Sequence, residues 1–149
     1  MVNFQREGSR SNAHVGKEFE NTAKTFFLSK GLILQDNLTL PVGIGKEKKN
    51  HAFDLGNKEL RIIVECKSHK WTKGDNVPSA KLTVWNEAMY YFFSSPQGYR
   101  KIFFILRDFS NKRKETLAEY YIRTYNHLIP EDVEFWEYDP GKGKALKIN

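Results

Sequence analysis

The residues best suited to chemistry lie at the end of an apolar run that finishes in Glu65, Cys66 and Lys67. The run, residues 61–67, is rich in Val and Ile and predicts a buried β-strand. Side chains alternate along a strand, so Glu65 and Lys67 project from one face. The other face, which is expected to point into the core, carries Leu60, Ile62, Val64 and Cys66. Burying an acid and an amine is costly unless each finds a partner or a metal ion, so this strand end is the first candidate for a functional site.

Asp54 is the candidate partner of Glu65, because the sequence between them predicts a turn. Residues 51–55 form a second short apolar run, and residues 56–59 (Gly-Asn-Lys-Glu) are typical of a turn. An antiparallel hairpin that reverses there brings Asp54 opposite Glu65, with their Cβ atoms about 4.5–5.5 Å apart. Two carboxylates this close repel each other unless a cation lies between them, and hard oxygen ligands suit Mg²⁺. The alternative is that Glu65 and Lys67 form only an exposed charge pair.

These residues need elements to position them, and the chain predicts a single domain. Its 149 residues, 40% hydrophobic and 14% aromatic, suffice for one core. We expect a polar N-terminal arm over residues 1–13 and one domain over residues 14–149. With no long apolar run and no evident signal peptide, we expect a cytoplasmic protein without a membrane segment.

The order of the predicted elements indicates an α/β fold. The pattern predicts helix, three strands, helix, strand, helix, strand, which implies a central mixed sheet flanked by helices. Glu20 falls at the edge of the apolar stripe of the first helix, and Glu18 at the opposite edge. Asp36 and Asn37 predict a kink in the first strand. The predicted ranges are, in order, 15–30, 32–42, 51–55, 61–67, 80–94, 99–109, 115–128 and 133–138, followed by a basic tail over 142–149.

Charge and composition favour an anionic partner. The net charge is +6 and the pI is about 9.3, which suits nucleic acid. Two basic loops flank the candidate strands and supply candidate phosphate contacts, namely Lys46, Lys48, Lys49, Lys70 and Lys73. The single cysteine and four dispersed histidines disfavour a zinc enzyme. We expect His69 to be a solvated loop residue, and a contact with phosphate is the alternative for it. The absence of a GxxxxGK[ST] loop predicts no nucleotide cofactor.

The spacing of the candidate residues carries a family resemblance. Asp54, ten intervening residues and then Glu65-Cys66-Lys67 resemble the motif of the PD-(D/E)XK nuclease superfamily. The segment from Gly16 to Glu20 is similar to the Gly-x-x-x-Glu motif of its Holliday-junction-resolvase-like and Mrr-like branches, and Ser68 also resembles the resolvase branch. The resemblance covers about residues 15–106, with phenylalanine before Asp54 where the motif's name has proline.

The resemblance implies a restriction-endonuclease-like core, αβββαβ, here followed by an extra αβ. It implies that Asp54, Glu65 and Glu20, with the Cys66 carbonyl, hold Mg²⁺, for which Mn²⁺ can substitute. Lys67 would orient the attacking water or stabilise negative charge in the transition state. The catalytic set implied by the resemblance is thus Asp54, Glu65, Lys67 and Glu20.

The resemblance also implies a function: a metal-dependent endonuclease that hydrolyses phosphodiester bonds in double-stranded or branched DNA. Because cutting both strands takes two copies of a small site, we expect a homodimer. A restriction or repair enzyme and a Holliday-junction resolvase are both compatible with these residues. A non-catalytic nucleic-acid-binding subunit of the same fold is the alternative from a different class.

Overall fold

The computed structural model describes residues 4–149, with side chains described from residue 13 onwards. Its helices are α1 (Phe4–Ser29), α2 (Ser79–Phe93) and α3 (Leu117–Tyr125), the last continued by one 3₁₀ turn (Asn126–Leu128). The strands are β1 (Gln35–Val42), β2 (Lys49–Asn57), β3 (Ile62–Lys67), β4 (Arg100–Leu106), β5 (Phe109–Ser110), β6 (Glu115–Thr116), β7 (Val133–Asp139) and β8 (Lys144–Lys147).

Six of the strands form one mixed sheet in the order β1-β2-β3-β4-β7-β8. The first three strands are an antiparallel meander, β3, β4 and β7 are parallel, and β8 closes the far edge antiparallel to β7. The strands β5 and β6 pair separately as a two-residue ribbon. The predicted α/β class, with a mixed sheet and flanking helices, is confirmed.

Helices cover both faces of the sheet, which gives the molecule two hydrophobic clusters. On one face, α1 packs Phe19, Ala23 and Phe27 against alternate residues of β3 and β4. On the other face, α2 and α3 pack Trp85, Phe92 and Tyr121 against the remaining residues of those strands. Parallel central strands are normally buried on both faces, which explains the unbroken apolar runs in β3 and β4.

The ends of the chain depart from the predictions. The first helix begins at Phe4 instead of Val15, so the predicted arm is helical from that residue, and residues 1–3 lie outside the described part. A helix already nucleated over its buried stripe can extend through polar residues, because each added residue contributes a further backbone hydrogen bond. The predicted basic tail is also wrong over Lys144–Lys147, since these residues pair with β7 and bury Ala145.

Two smaller differences concern single segments. Leu60 was expected in the core but lies in the β2–β3 turn and is 53% exposed. The third helix begins at Leu117, not at residue 115, because Thr116 and Glu119 form a reciprocal capping box at its N-terminus. Among the described residues, no helix is long and apolar enough to cross a lipid bilayer.

Candidate functional site

The candidate site lies where β2 and β3 stop pairing. Their antiparallel ladder has three pairs and ends at Leu55 opposite Val64. One step further along the same register, Asp54 comes opposite Glu65, so the predicted hairpin register is confirmed. From Glu65 onwards, β3 remains paired with β4 on its other side. The separation of β2 from β3 therefore leaves backbone groups of residues 65–67 without a strand partner on that side.

An irregularity in the strands turns Asp54 towards this opening. Asn37 of β1, which would pair with Asp54, has φ of +56°, and this rung is missing from the β1–β2 ladder. The neighbours of Asp54 pack in opposite clusters, Phe53 with α2 and Leu55 with α1, although residues two apart on a regular strand share a face. The predicted kink in the first strand is therefore confirmed, and it lies beside Asp54.

The Asp54 carboxylate replaces the missing strand partner of β3. The backbone N–H of Cys66 donates to Asp54 Oδ2 at 2.8 Å. A buried amide without an acceptor is costly, so this bond fixes the Asp54 side chain next to Glu65. The hairpin predicted that Asp54 and Glu65 lie side by side, and the hydrogen bond from the Cys66 amide to Asp54 agrees with that prediction.

Glu65 is almost completely buried, with 5% of its surface exposed. Its pKa is raised to about 7, chiefly by burial and also by the neighbouring Asp54 carboxylate, although the His51 hydrogen bond and the charge of Lys67 act in the opposite direction. His51 Nε2 lies 2.9 Å from Glu65 Oε1, and the imidazole is stacked on Tyr91 of α2 with 3.7 Å between the ring centroids. The alternative of an exposed Glu65–Lys67 charge pair is thus wrong.

Glu20 approaches the same place from α1. It is half-buried at the edge of the apolar stripe, as its helical position predicts, and Lys17 Nζ lies 3.6 Å from its carboxylate. Its pKa is raised by burial and by the charge of Asp54. The pKa of the buried Cys66 thiol is raised by burial and by the charges of Asp54, Glu20 and Glu65. The charges of three carboxylates therefore act on Cys66, whereas Glu18 points to solvent and pairs with His14 at 3.0 Å.

Lys67 leads into a cleft of about 520 Å³ between the end of β3, α1 and α2. Three lysines line this cleft, namely Lys67, Lys70 and Lys81, together with Ser68 and His69. Among the described residues, no acidic side chain lines it. Lys81 was not among the predicted site residues. The sequence feature that could have indicated it is its position, because Lys81 is the one lysine in the first turn of the helix that follows the site strand.

The five lysines expected to contact phosphate are all exposed, but the structure does not bring them together. Lys70 lines the cleft beside Lys67. Lys48 lies at the other end of α2, where its Nζ donates to the carbonyl of Gly43 at 2.6 Å and its stem borders a groove formed with Phe93 and Ser94. Lys46, Lys49 and Lys73 are exposed in the loops and at the start of β2.

Two histidines near the site have roles that sequence reasoning missed. His51 contacts Glu65, and its place three residues before Asp54 on the same strand gave no sign of this. His69 was expected to be solvated, but it is half-buried, and its Nδ1 accepts a hydrogen bond of 2.8 Å from the indole N–H of Trp85. Burial and the charges of Lys67 and Lys81 lower the pKa of His69 to about 4. A histidine so placed is neutral at physiological pH.

The donor set fits a hard divalent cation. The charges of three carboxylates, two of them with raised pKa values, act on the same stretch of β3, and oxygen ligands are those that Mg²⁺ and Mn²⁺ prefer. In this conformation no group of three His, Cys, Asp or Glu side chains within the described residues is arranged to hold a metal ion. Glu65 Oε1 is engaged by His51 and Asp54 Oδ2 by the Cys66 amide, so metal binding would use the other carboxylate oxygens or require these side chains to adjust.

No protein-family model matches this chain, and no curated protein or solved structure shows significant similarity to it. The choice of function therefore depends on the residues and the geometry of this site.

Proposed function

We propose that this chain is a metal-dependent endonuclease that hydrolyses phosphodiester bonds in DNA. The observation that carries the proposal is the placement of Asp54 and Glu65 side by side where β2 and β3 separate, with Asp54 bound to the Cys66 amide. Glu20 and Lys67 join them from α1 and from the same strand. This set agrees with the roles that the resemblance to the PD-(D/E)XK superfamily implies. The restriction-endonuclease-like core is part of the proposal.

The residues that would hold the metal are Asp54, Glu65 and Glu20, with the backbone carbonyl of Cys66. When bound there, Mg²⁺ or Mn²⁺ would supply a nucleophile by lowering the pKa of a water molecule and would polarise the scissile phosphate. A cation at this place would also offset the mutual repulsion that contributes to the raised pKa values of Glu65 and Glu20.

The remaining contributions come from the chain itself. Lys67 follows the carboxylate pair on β3 and carries an ammonium group that can stabilise negative charge developing on the phosphate. The cleft lysines, Lys67, Lys70 and Lys81, favour the approach of a polyanion. His51 orients the Glu65 carboxylate, and Cys66 orients Asp54.

The substrate we propose is double-stranded or branched DNA, and the cleaving species a homodimer. The net charge of +6 supports a nucleic-acid partner. A two-fold dimer matches the symmetry of a duplex or of a four-way junction, so that each copy cuts one strand.

A non-catalytic DNA-binding subunit is the second candidate, and one observation favours it. The Glu65 carboxylate is in hydrogen-bonding contact with His51, so one proposed metal ligand already has a protein partner. In such a subunit, the acidic cluster would be a structural network and the lysines would still bind DNA.

Substitution of the carboxylates separates the two candidates. The wild-type protein should cut DNA with Mg²⁺ or Mn²⁺ and be inactive in EDTA. Asp54→Asn and Glu65→Gln should nearly abolish cutting while DNA binding persists, and Lys67→Ala should reduce the rate by about 10²–10³. The matched control is Glu18→Gln on the exposed side of α1, which should cut like the wild type. Cutting by Asp54→Asn at the wild-type rate would refute the site, and binding without cutting under any divalent metal would favour the second candidate.

A further inference from the structure

We infer that the cleft beside Lys67 is a binding subsite for a backbone phosphate, in which His69 contributes an uncharged N–H donor. The inference rests on the proposed function for the identity of the ligand, a nucleic acid, but not for the chemistry of the subsite. It assigns roles to His69 and Lys81, which the metal-binding cluster does not use.

The charge of the cleft selects an anion. Its volume is about 520 Å³, and the charged side chains among its described lining residues are Lys67, Lys70 and Lys81. Lys81 is exposed on α2 and Lys70 is exposed in the loop after β3, so the cations approach from two elements. A phosphate group between them would receive charge-assisted hydrogen bonds, which are stronger than neutral ones.

The contact with Trp85 determines the tautomer of His69. An indole nitrogen can only donate a hydrogen bond, and Trp85 Nε1 lies 2.8 Å from His69 Nδ1. Nδ1 must therefore be unprotonated, which places the ring proton on Nε2. Every buried side-chain nitrogen or oxygen of the described residues has a hydrogen-bond partner. Since His69 Nε2 has no partner among those residues, this atom is not buried. Since His69 also lines the cleft, its Nε2–H is directed to a solvent-accessible position there.

The packing of Trp85 makes this donor rigid. Trp85 is completely buried and contacts the rings of Phe103 and Tyr121, with centroid distances of 5.4 and 5.1 Å. The His69 ring lies edge to edge with the indole, with 6.2 Å between the ring centroids and 30° between the ring planes. Because its pKa is low, His69 is uncharged at neutral pH and is a poor general acid or base there. A fixed, neutral N–H in a basic cleft is suited to binding an anion oxygen without transferring a proton.

The first test examines the tautomer in the wild-type protein by nitrogen-15 NMR of the histidine side chains. At pH 7 in EDTA, His69 should show a protonated Nε2 and an unprotonated Nδ1. Addition of a short DNA duplex, and more weakly of inorganic phosphate, should shift the Nε2 and Hε2 resonances. A protonated Nδ1, or resonances that stay unchanged when the protein is saturated with duplex, would overturn the inference.

The second test measures duplex affinity by fluorescence anisotropy in EDTA, using Asp54→Asn as the parent so that cutting plays no part. His69→Phe should weaken binding about tenfold, the effect expected for loss of a hydrogen bond to a charged group. His69→Gln retains an N–H donor and should recover most of the affinity, whereas Lys81→Ala should weaken binding about as much as His69→Phe.

The matched control is His127→Phe, at an exposed position after α3, which should bind like the parent. Equal affinities for parent, His69→Phe and Lys81→Ala would overturn the subsite, as would a parent that binds no DNA. Neither test requires catalysis, so a protein that never cuts DNA can still pass both tests. Failure of the proposed activity is therefore distinguishable from failure of the subsite.

Discussion

At the scale of single residues, Glu65 makes the folded protein sensitive to pH. Its ordinary pKa is near 4.5, and in the native state it is raised to about 7, chiefly by burial. Below pH 4.5 the carboxyl group is protonated in both folded and unfolded chains and carries no penalty. Between pH 4.5 and 7 the native state binds more protons than the unfolded state, so the free energy of unfolding falls as pH rises. Above pH 7 the whole penalty, roughly 3 kcal/mol at 1.36 kcal/mol per pKa unit, is present.

The substitution Glu65→Gln should remove this dependence. Relative to the variant, the wild type should lose roughly 3 kcal/mol in its free energy of unfolding between pH 4 and pH 8, measured by urea denaturation at each pH. Glu20 and Glu137 also have raised pKa values, but they are present in both proteins and their effects cancel. Mg²⁺ at pH 8 should stabilise the wild type more than the variant, because binding to the native state adds to its stability. Parallel stability curves for the two proteins would contradict a strongly raised pKa.

At the scale of elements, the β2–β3 hairpin determines the positions of the Asp54 and Glu65 carboxylates. Gly56 pairs with Ile63 in this hairpin, two residues after Asp54. A Cβ atom on Gly56 would lie 2.5 Å from Leu38 Cδ2 and 2.7 Å from the carbonyl oxygen of Ile62. Only glycine fits at this position, because the backbone of β3 and the Leu38 side chain of β1 leave no space for a Cβ atom.

We therefore predict that Gly56→Ala destabilises the protein by about 1–3 kcal/mol, the usual cost of overpacking. The measurement is the free energy of unfolding in urea at one pH. Gly45→Ala is the matched control, because a Cβ there has no atom within 4 Å, and it should change stability by less than about 0.5 kcal/mol. Equal stabilities for the two variants would show that the strands can separate at Gly56 without cost.

At the scale of the whole molecule, the outer face of α2 offers an apolar surface. Tyr90 and Phe93 are 53% and 65% exposed, and Leu128, at the end of the 3₁₀ turn that continues α3, is 43% exposed. They border a groove of about 550 Å³ whose described lining carries no lysine, arginine or carboxylate. Two copies with a net charge of +6 each repel one another, and an uncharged face allows the closest approach. A two-fold interface uses the same patch on both copies, so the exposed aromatic side chains of one copy can pack against the apolar groove of the other.

We therefore expect the proposed homodimer to form through this face. Light scattering of the wild type, free and with a duplex, should give the mass of two chains. Phe93→Glu should give a folded monomer, since it places a charge on the apolar face, and Thr83→Glu, at another exposed position of α2, should remain dimeric. A monomeric wild type in both conditions would count against the dimer, and a dimeric Phe93→Glu against this surface.

The sequence by itself determined the elements and the hairpin, because both depend on neighbours along the chain. The alternation and turn residues of 51–67 predicted the β2–β3 register, which the ladder of Leu55 with Val64 confirms. The stripe of α1 predicted the position of Glu20 at its edge. The candidate carboxylates could be named in advance for the same reason, since spacing along a strand and around a helix fixes which side chains share a face.

Only the tertiary structure decided the environment of those residues. His51 reaches Glu65 across fourteen positions of sequence, Trp85 reaches His69 across sixteen, and Lys81 enters the cleft from a different element. The burial that raises the pKa of Glu65, and the pairing of Lys144–Lys147 with β7, likewise depend on how helices and strands pack. Such contacts depend on how whole elements pack against one another, and a local sequence pattern does not predict which side chains that packing brings together.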